Sequence, residues 1–221
     1  MKIVAKIYTE FDEKFGIPRQ SGIVKETLGR IVFEPEYRNP DALRGIEGYS
    51  HLWLIWQFSE AVRDKWSPTV RPPRLGGNKR MGVFATRSPF RPNPIGLSSV
   101  KLIGVKNTDR EGIVLLVSGA DILSGTPIYD IKPYLAYTDS HPDAIGGFAD
   151  DVLGYKIEVE FEGEIAKNLT SSERKKLIAI LSEDPRPSYK AVDERTYGMK
   201  FEGKEISFKY SFGKLIVTNI Q

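Results

Sequence analysis

The sequence predicts a mainly β protein, with a β-rich body followed by a small α+β appendage. Three observations lead there. Apolar residues recur mostly with a period of two, the spacing that lines one face of a strand. Only one segment, near the carboxyl end, has a strong helix start followed by apolar residues at helical spacing. The 20 glycines and 14 prolines punctuate short segments rather than forming low-complexity tracts.

Lys2 to Tyr8 places Ile3, Ala5 and Ile7 on one strand face. Ile23 to Phe33 is interrupted by Gly29 and reads as two strands around a turn. A short helix is expected at Pro40 to Leu43, because Asn39 can cap it and proline suits the first helical position. Tyr49 to Phe58, with Trp53, Ile55 and Trp56, reads as the most apolar strand. Val83 to Thr86, Leu97 to Val105 and Gly112 to Ser118 continue the series.

Lys156 to Glu162 alternates Ile157, Val159 and Phe161 with charged residues. Thr170 and Glu173 then have capping-box spacing, Leu177, Ile178 and Leu181 share a face, and Pro185 stops the helix. Three strands joined by turns at Gly203 and Gly213 complete the chain. A boundary between Ala149 and Gly154 divides residues 1–151 from residues 152–221.

With 221 residues, 40% of them hydrophobic, the chain can bury a core. It contains no cysteine, which excludes disulfides, thiolate nucleophiles and cysteine-held metals. Its two histidines, His51 and His141, are far apart in sequence, so no His-rich metal site is expected. No two glycines are separated by a single residue, which excludes a Rossmann-type Gly-x-Gly turn. Gly76-Gly77-Asn78-Lys79-Arg80 lacks P-loop spacing, and no serine occupies a Gly-x-Ser-x-Gly turn. The amino-terminal residues lack a basic start and an apolar block, and no stretch of 18 apolar residues occurs, so a cytoplasmic protein is expected.

Net charge is +3, but residues 71–96 carry six cations (Arg71, Arg74, Lys79, Arg80, Arg87 and Arg91) and no acid. The rest of the chain is therefore −3. Five prolines and four glycines hold this stretch to a defined irregular course. A stiff, arginine-rich loop fits an anion, because guanidinium groups grip phosphate or carboxylate in a fork. The alternative is a solvated surface loop.

Shorter segments are ambiguous by themselves. Gly16-Ile17-Pro18-Arg19-Gln20 reads as a loop between strands, and His51 as a residue at a strand end. Asp121 to Tyr134 is either a turn with Asp121 accepting backbone bonds or a polar wall that accepts hydrogen bonds from a ligand. Asp184-Pro185-Arg186-Pro187-Ser188-Tyr189 stops a helix, and it also presents a cation and an aromatic ring suited to a phosphate and a base.

In this order, five segments resemble the TsaA-like, or TrmO, family of tRNA methyltransferases. They are Phe15-Gly16-Ile17-Pro18-Arg19-Gln20, Ser50-His51-Leu52-Trp53, the long run from Arg71 to Ser98, Asp121 to Tyr134, and the Asp-Pro-Arg-Pro-Ser-Tyr loop. The resemblance covers essentially the whole chain, and the long run is its most specific part. It implies a single-sheet β-barrel and a homodimer. It also implies S-adenosylmethionine-dependent methylation of the exocyclic nitrogen of N6-threonylcarbamoyladenosine beside the tRNA anticodon. By matching motifs, the cofactor would be held by Pro18, Arg19, Gln20, His51, Leu52, Arg87, Leu97, Asp121, Ile122, Leu123 and Ser124. Ser124 stands where an acid is expected in many relatives, so only its backbone carries over.

Such a transfer needs neither a metal nor a thiol. Asp130 and Asp121 are the carboxylates near the motif available to accept the departing proton. Arg71, Arg74, Lys79, Arg80 and Arg91 are expected to meet anticodon-stem phosphates, with Asp184, Arg186 and Tyr189 near the loop bases. A noncatalytic RNA-binding module, or a methyltransferase of the same fold with another substrate, would share some of these features. No membrane contact is expected.

Overall fold

The computed structural model describes residues 1–75, 79–186 and 195–221, apart from the side chains of Arg74 and Val152. Its first sheet closes into a six-stranded antiparallel barrel. The barrel strands are β1 (Ala5–Thr9), β2 (Leu28–Phe33), β3 (His51–Gln57), β6 (Ile95–Thr108), β7 (Gly112–Ser118) and β8 (Thr126–Pro133), in the order β1-β2-β7-β6-β3-β8. Closure gives every barrel strand a partner on both sides over part of its length. Between β3 and β6, a two-stranded ribbon of β4 (Thr69–Val70) and β5 (Met81–Gly82) stands apart from the barrel.

Period-two alternation drives this arrangement. Leu52, Leu54 and Trp56 of β3 point inward and are buried, while His51, Trp53, Ile55 and Gln57 alternate with them at partial exposure. They meet Ile7, Ile31, Leu115, Val117 and Ile128 in the barrel core. At about 25 cal/mol per Å² of apolar surface, each such fully buried side chain contributes roughly 1.5–3 kcal/mol.

Several boundaries differ from the sequence reading. Gly29 makes no turn; it lies inside the single strand β2, where a Cβ would stand 3.2 Å from Val117 and 3.3 Å from Ile7. Ile23 to Thr27 is irregular, and its Val24 is buried in the second core. Val83 to Ala85 is one turn of 3-10 helix rather than a strand, with only Val83 buried. The short helix at Pro40–Leu43 forms as expected but is 3-10, and Asn39 caps it by accepting from Asp41 N.

A four-residue helix, α1 (Ala136–Asp139), and a 3-10 segment (Gly147–Val152) lead to the second sheet, ordered β10-β11-β12-β9. These strands are Thr196–Phe201, Lys204–Ser211, Lys214–Ile220 and Glu158–Phe161. The β10–β11 and β11–β12 turns have consecutive positive φ, Glu202 (48°) with Gly203 (77°) and Phe212 (48°) with Gly213 (82°), as tight hairpins require.

Helix α2 (Ser171–Leu181) starts with the full capping box. Thr170 Oγ1 accepts from Glu173 N at 3.2 Å, and Glu173 Oε2 accepts from Thr170 N at 2.7 Å. Its buried face is Leu177, Ile180 and Leu181, with Ile178 only half-buried. The helix ends at Leu181, and Asp184 turns the chain with φ of 49° ahead of Pro185. Phe11 and Val24, from the amino-terminal part, are buried with Leu177, Phe201, Phe208 and Val217. Lys176 reinforces that join, reaching Glu10 at 2.5 Å and Glu202 at 2.6 Å. The second core is thus built partly from the loop that also carries Pro18, Arg19 and Gln20.

Candidate functional site

Strand β6 outruns its neighbour. Its pairing with β7 begins only at Lys101 opposite Ser118, so residues 95–100 pair with β3 alone. Buried Gly96 and Ser98 are in this overhang, covered by the irregular segment that follows β7 rather than by another strand. That segment is pinned at a glycine crossing. Gly22 N donates to Gly119 O at 2.8 Å, and Gly119 has φ of 77° with Gly22 backbone 3.2 Å from where its Cβ would be. Ser21 Oγ accepts from Ser99 N at 3.2 Å, which closes the overhang's free edge.

A cleft of about 2270 Å³ opens here. Its apolar walls include Ile17, Pro18, Trp56, Phe58, Leu97 and Leu123, and its polar wall includes Arg19, Gln20, Arg87, Asp121 and Arg186. Trp56 and Phe58 lie with ring centroids 4.2 Å apart and planes inclined by 58°. Trp56 pairs with Gly96 across β3 and β6, and any side chain at Gly96 would collide with the indole.

The Trp56 indole N–H donates to Ser98 Oγ at 2.9 Å, and Ser98 Oγ donates to Asp121 Oδ1 at 2.6 Å. An indole N–H cannot accept, so the serine proton must point at the carboxylate. Burial pushes the Asp121 carboxyl above its ordinary value, against the opposing pull of Ser98, of backbone N–H groups and of the Arg87 charge. The result is an oriented and unusually basic carboxylate at the wall of a largely apolar cleft.

Several cationic groups share this cleft. Arg87 donates to Gln20 Oε1, joining the arginine-rich run to the amino-terminal loop. Arg19 donates to the backbone oxygens of Asp184 (3.0 Å) and Arg186 (3.4 Å), tying that loop to the end of α2. Arg186 is 6% exposed, forms a two-pronged ion pair with Asp184 at 2.8 Å, and lies 3.9 Å above the Tyr210 ring. Its Nη1 is buried with no hydrogen-bond partner among the described residues. A buried guanidinium N–H left this way is an unmet hydrogen-bonding demand in a residue that lines the cleft.

The structure therefore brings Pro18, Arg19, Gln20, Arg87, Leu97, Asp121 and Leu123 together with Arg71, Arg80, Arg91 and Arg186 around one cleft. Other residues singled out in the sequence stand elsewhere. Leu52 and Ile122 are fully buried in the barrel core. Ser124 Oγ accepts from Thr9 N at 3.3 Å, joining its turn to β1. His51 opens β3 outside the cleft lining, with Nδ1 2.9 Å from Ser50 Oγ and its ring edge-on to Tyr134. Asp130 does not line the cleft either; it pairs with Lys132 at 3.0 Å and accepts from Ile131 N. Arg71, Lys79 and Arg80 are exposed, Arg91 braces its own loop by donating to Thr86 O at 3.0 Å, and Asp184 is engaged by Arg186. Tyr189, Gly76, Gly77 and Asn78 lie outside the described residues, as does the Arg74 side chain.

Sequence reasoning missed Trp56, Gly96 and Ser98. Their signal was inward phase on two paired strands, which becomes informative only once the overhang of β6 is known.

The family model of the tRNA-methyltransferase O N-terminal domain matches residues 6–140, and that of the TrmO C-terminal domain matches residues 154–221. The chain belongs to the tRNA-methyltransferase O family. It is 42% identical over 204 residues to the tRNA (adenine(37)-N6)-methyltransferase of Escherichia coli K12, covering 89% of this chain and 86% of that protein. A Pseudomonas aeruginosa protein named "Putative S-adenosylmethionine-dependent methyltransferase RcsF" is 39% identical over 213 residues, covering 93% of this chain and 90% of that protein. The crystal structure of TrmO from Pseudomonas aeruginosa superposes with a TM-score of 0.78 at 32% identity, covering all of this chain and 96% of that one. As a TrmO family member the protein is a tRNA methyltransferase, and its cofactor is S-adenosylmethionine.

The cleft fits that cofactor on its own chemistry. Asp121 offers a buried acceptor for hydroxyl or ammonium donors, Arg19 and Arg87 offer donors for a carboxylate, and Trp56, Phe58, Leu97 and Leu123 offer apolar surface for a base. Among the described residues no group of three or more His, Asp or Glu could hold a metal, and no helix is long and apolar enough to cross a membrane.

Proposed function

We propose that this TrmO-family enzyme methylates N6 of N6-threonylcarbamoyladenosine beside the tRNA anticodon. The observation that carries the finer substrate is the buried Nη1 of Arg186, which has no hydrogen-bond partner among the described residues and belongs to a side chain lining the same cleft as Asp121. A threonylcarbamoyl group bears a carboxylate, which an arginine N–H binds as a charge-assisted acceptor; unmodified adenosine has none.

When bound, S-adenosylmethionine supplies an electrophilic methyl carbon on a sulfonium, open to in-line attack by nitrogen. The chain's residues supply position and proton transfer. Pro18, Arg19, Gln20, Arg87, Leu97, Asp121 and Leu123 would hold the donor, and the apolar walls would exclude water from it. Asp121 would take the N6 proton as the nitrogen is methylated, so the product nitrogen carries no charge. Burial raises the Asp121 carboxyl, which makes it the better base. Asp130, paired with Lys132 away from the cleft lining, has no part in this reading.

Arg71, Arg74, Lys79, Arg80 and Arg91 neutralise anticodon-stem phosphates, while Asp184 fixes Arg186 and Tyr189 meets a loop base. Residues 1–151 act as the catalytic body and residues 152–221 as the tRNA-contacting unit of a cytoplasmic homodimer.

Incubation of the protein with deuterated-methyl S-adenosylmethionine and tRNA containing the threonylcarbamoyl nucleoside tests this reading. The digested product should contain N6-methyl-N6-threonylcarbamoyladenosine carrying the label. Label confined to another nucleoside, or absent, overturns it.

A further inference from the structure

Trp66 and Phe84 are large aromatic residues left exposed, at 53% and 72%. The β4–β5 ribbon brings them together. Val83 N donates to Pro68 O at 2.9 Å, so the residues just before β4 and just after β5 lie side by side, with ring centroids 6.1 Å apart and planes 33° from parallel. Buried Val83 anchors the turn that presents Phe84.

Cations attend these rings. Arg91 stands over Phe84 at 6.0 Å, and Arg63 over Phe90 at 3.9 Å. Arg80 donates to Thr69 Oγ1 at 3.1 Å on the same ribbon. Between Arg63 and Arg91 the sequence has eight cations against one carboxylate, Asp64. Phe84 lines the cleft and Trp66 does not, so the ring pair straddles its rim.

We propose that Trp66 and Phe84 form a stacking platform for an unpaired nucleotide of the substrate RNA, next to the base that enters the cleft. This rests on the RNA-modifying reading above and adds where the strand docks. Exposed rings among guanidinium groups are what a single strand requires: flat apolar faces for its bases and positive charge for its phosphates. Charge complementarity favours this occupant over a second copy of the chain, which would bring a like-charged ribbon.

The test uses the full chain and an anticodon stem-loop RNA, with binding measured across a salt series for wild type, Trp66→Ala, Phe84→Ala and Trp66→Phe. Either alanine variant should weaken binding roughly 5- to 100-fold, as expected for loss of one stacked base. In Trp66→Ala the slope of log affinity against log salt and the affinity for S-adenosylmethionine should both stay unchanged, because no phosphate contact is lost and Trp66 lies outside the cleft lining. Trp66→Phe, which keeps a ring, should recover most of the affinity. Wild-type affinity in both alanine variants overturns the platform. So does a weakened variant whose sedimentation falls from dimer to monomer, which would assign the surface to a second copy. Failure of the wild-type protein to bind any stem-loop overturns the RNA-modifying reading as well, so the two failures are distinguishable.

Discussion

Ser98 Oγ donates to Asp121 Oδ1 at 2.6 Å across the open overhang of β6, while the Trp56 indole donates to the same hydroxyl from behind. This relay links a strand position buried in the barrel to the one carboxylate among the candidate cofactor residues. Nothing in the sequence spacing joins the three, because residues 56, 98 and 121 meet only through the pairing of β3 with β6 and the loop after β7.

Ser98→Ala removes the hydrogen bond that most opposes the burial-driven rise of Asp121, so its carboxyl should titrate still higher. Asp121 acts ionised, so the acid limb of kcat/KM against pH should shift to higher pH. The buried Trp56 N–H would lose its acceptor, costing roughly 1–3 kcal/mol of stability. The double variant with Trp56→Phe should regain part of that stability without restoring the limb. An acid limb that does not move in Ser98→Ala contradicts the assignment of Asp121 as the titrating group.

Lys176 joins the two parts of the molecule. Burial works to lower its pKa, but hydrogen bonds to Glu10 and Glu202 outweigh this and leave it above its ordinary value, while burial raises Glu10. Replacing Lys176 with Met leaves two neighbouring carboxylates without their shared cation. The expected loss is about 2 kcal/mol, below the range for fully buried pairs because these side chains keep some solvent contact. Urea denaturation measures it, and adding Glu10→Gln should recover part of the loss. An unchanged midpoint in Lys176→Met would show that the bridge contributes nothing to the join.

Glu173 is a second pH-sensitive contact. The Lys204 hydrogen bond, followed by the Thr170 backbone N–H, lowers its carboxyl from an ordinary 4.5 to about 2. Its folded pKa is depressed, so its contribution is complete above 4.5 and lost as pH falls toward about 2. Glu173→Gln should therefore be less stable than wild type at neutral pH, with the gap closing over that acid window in thermal melts. A gap that stays constant down to pH 2 would contradict the depressed value.

Much of the fold was legible because local signals and tertiary demands agree. The capping box at Thr170 and Glu173, the glycine turns of the last hairpins and the alternation along β3 each carry their own instruction. Where tertiary packing decides, the sequence misleads. Gly29 reads as a breaker, yet Val117 and Ile7 crowd the side of β2 where its Cβ would stand. Val83 to Thr86 alternates like a strand, yet strand pairing in the isolated ribbon ends at Gly82 and the chain turns into a 3-10 helix. At the site, Pro18, Arg19, Gln20, Arg87 and Asp121 were legible as motifs and do converge. Trp56 and Ser98 were not, because an inward residue at an overhang has the same local pattern as one in a packed core. The burial of the Arg186 guanidinium was equally invisible, since the sequence shows a cation but not its surroundings.

The most direct test compares methyl transfer to two anticodon stem-loops that are identical except for the threonyl carboxylate, one bearing the acid and the other its carboxamide, using wild type and Arg186→Ala. Wild type should strongly prefer the acid in kcat/KM, and Arg186→Ala should lose most of that preference while keeping its affinity for S-adenosylmethionine. Equal rates on both RNAs with the wild-type enzyme would contradict the proposed substrate.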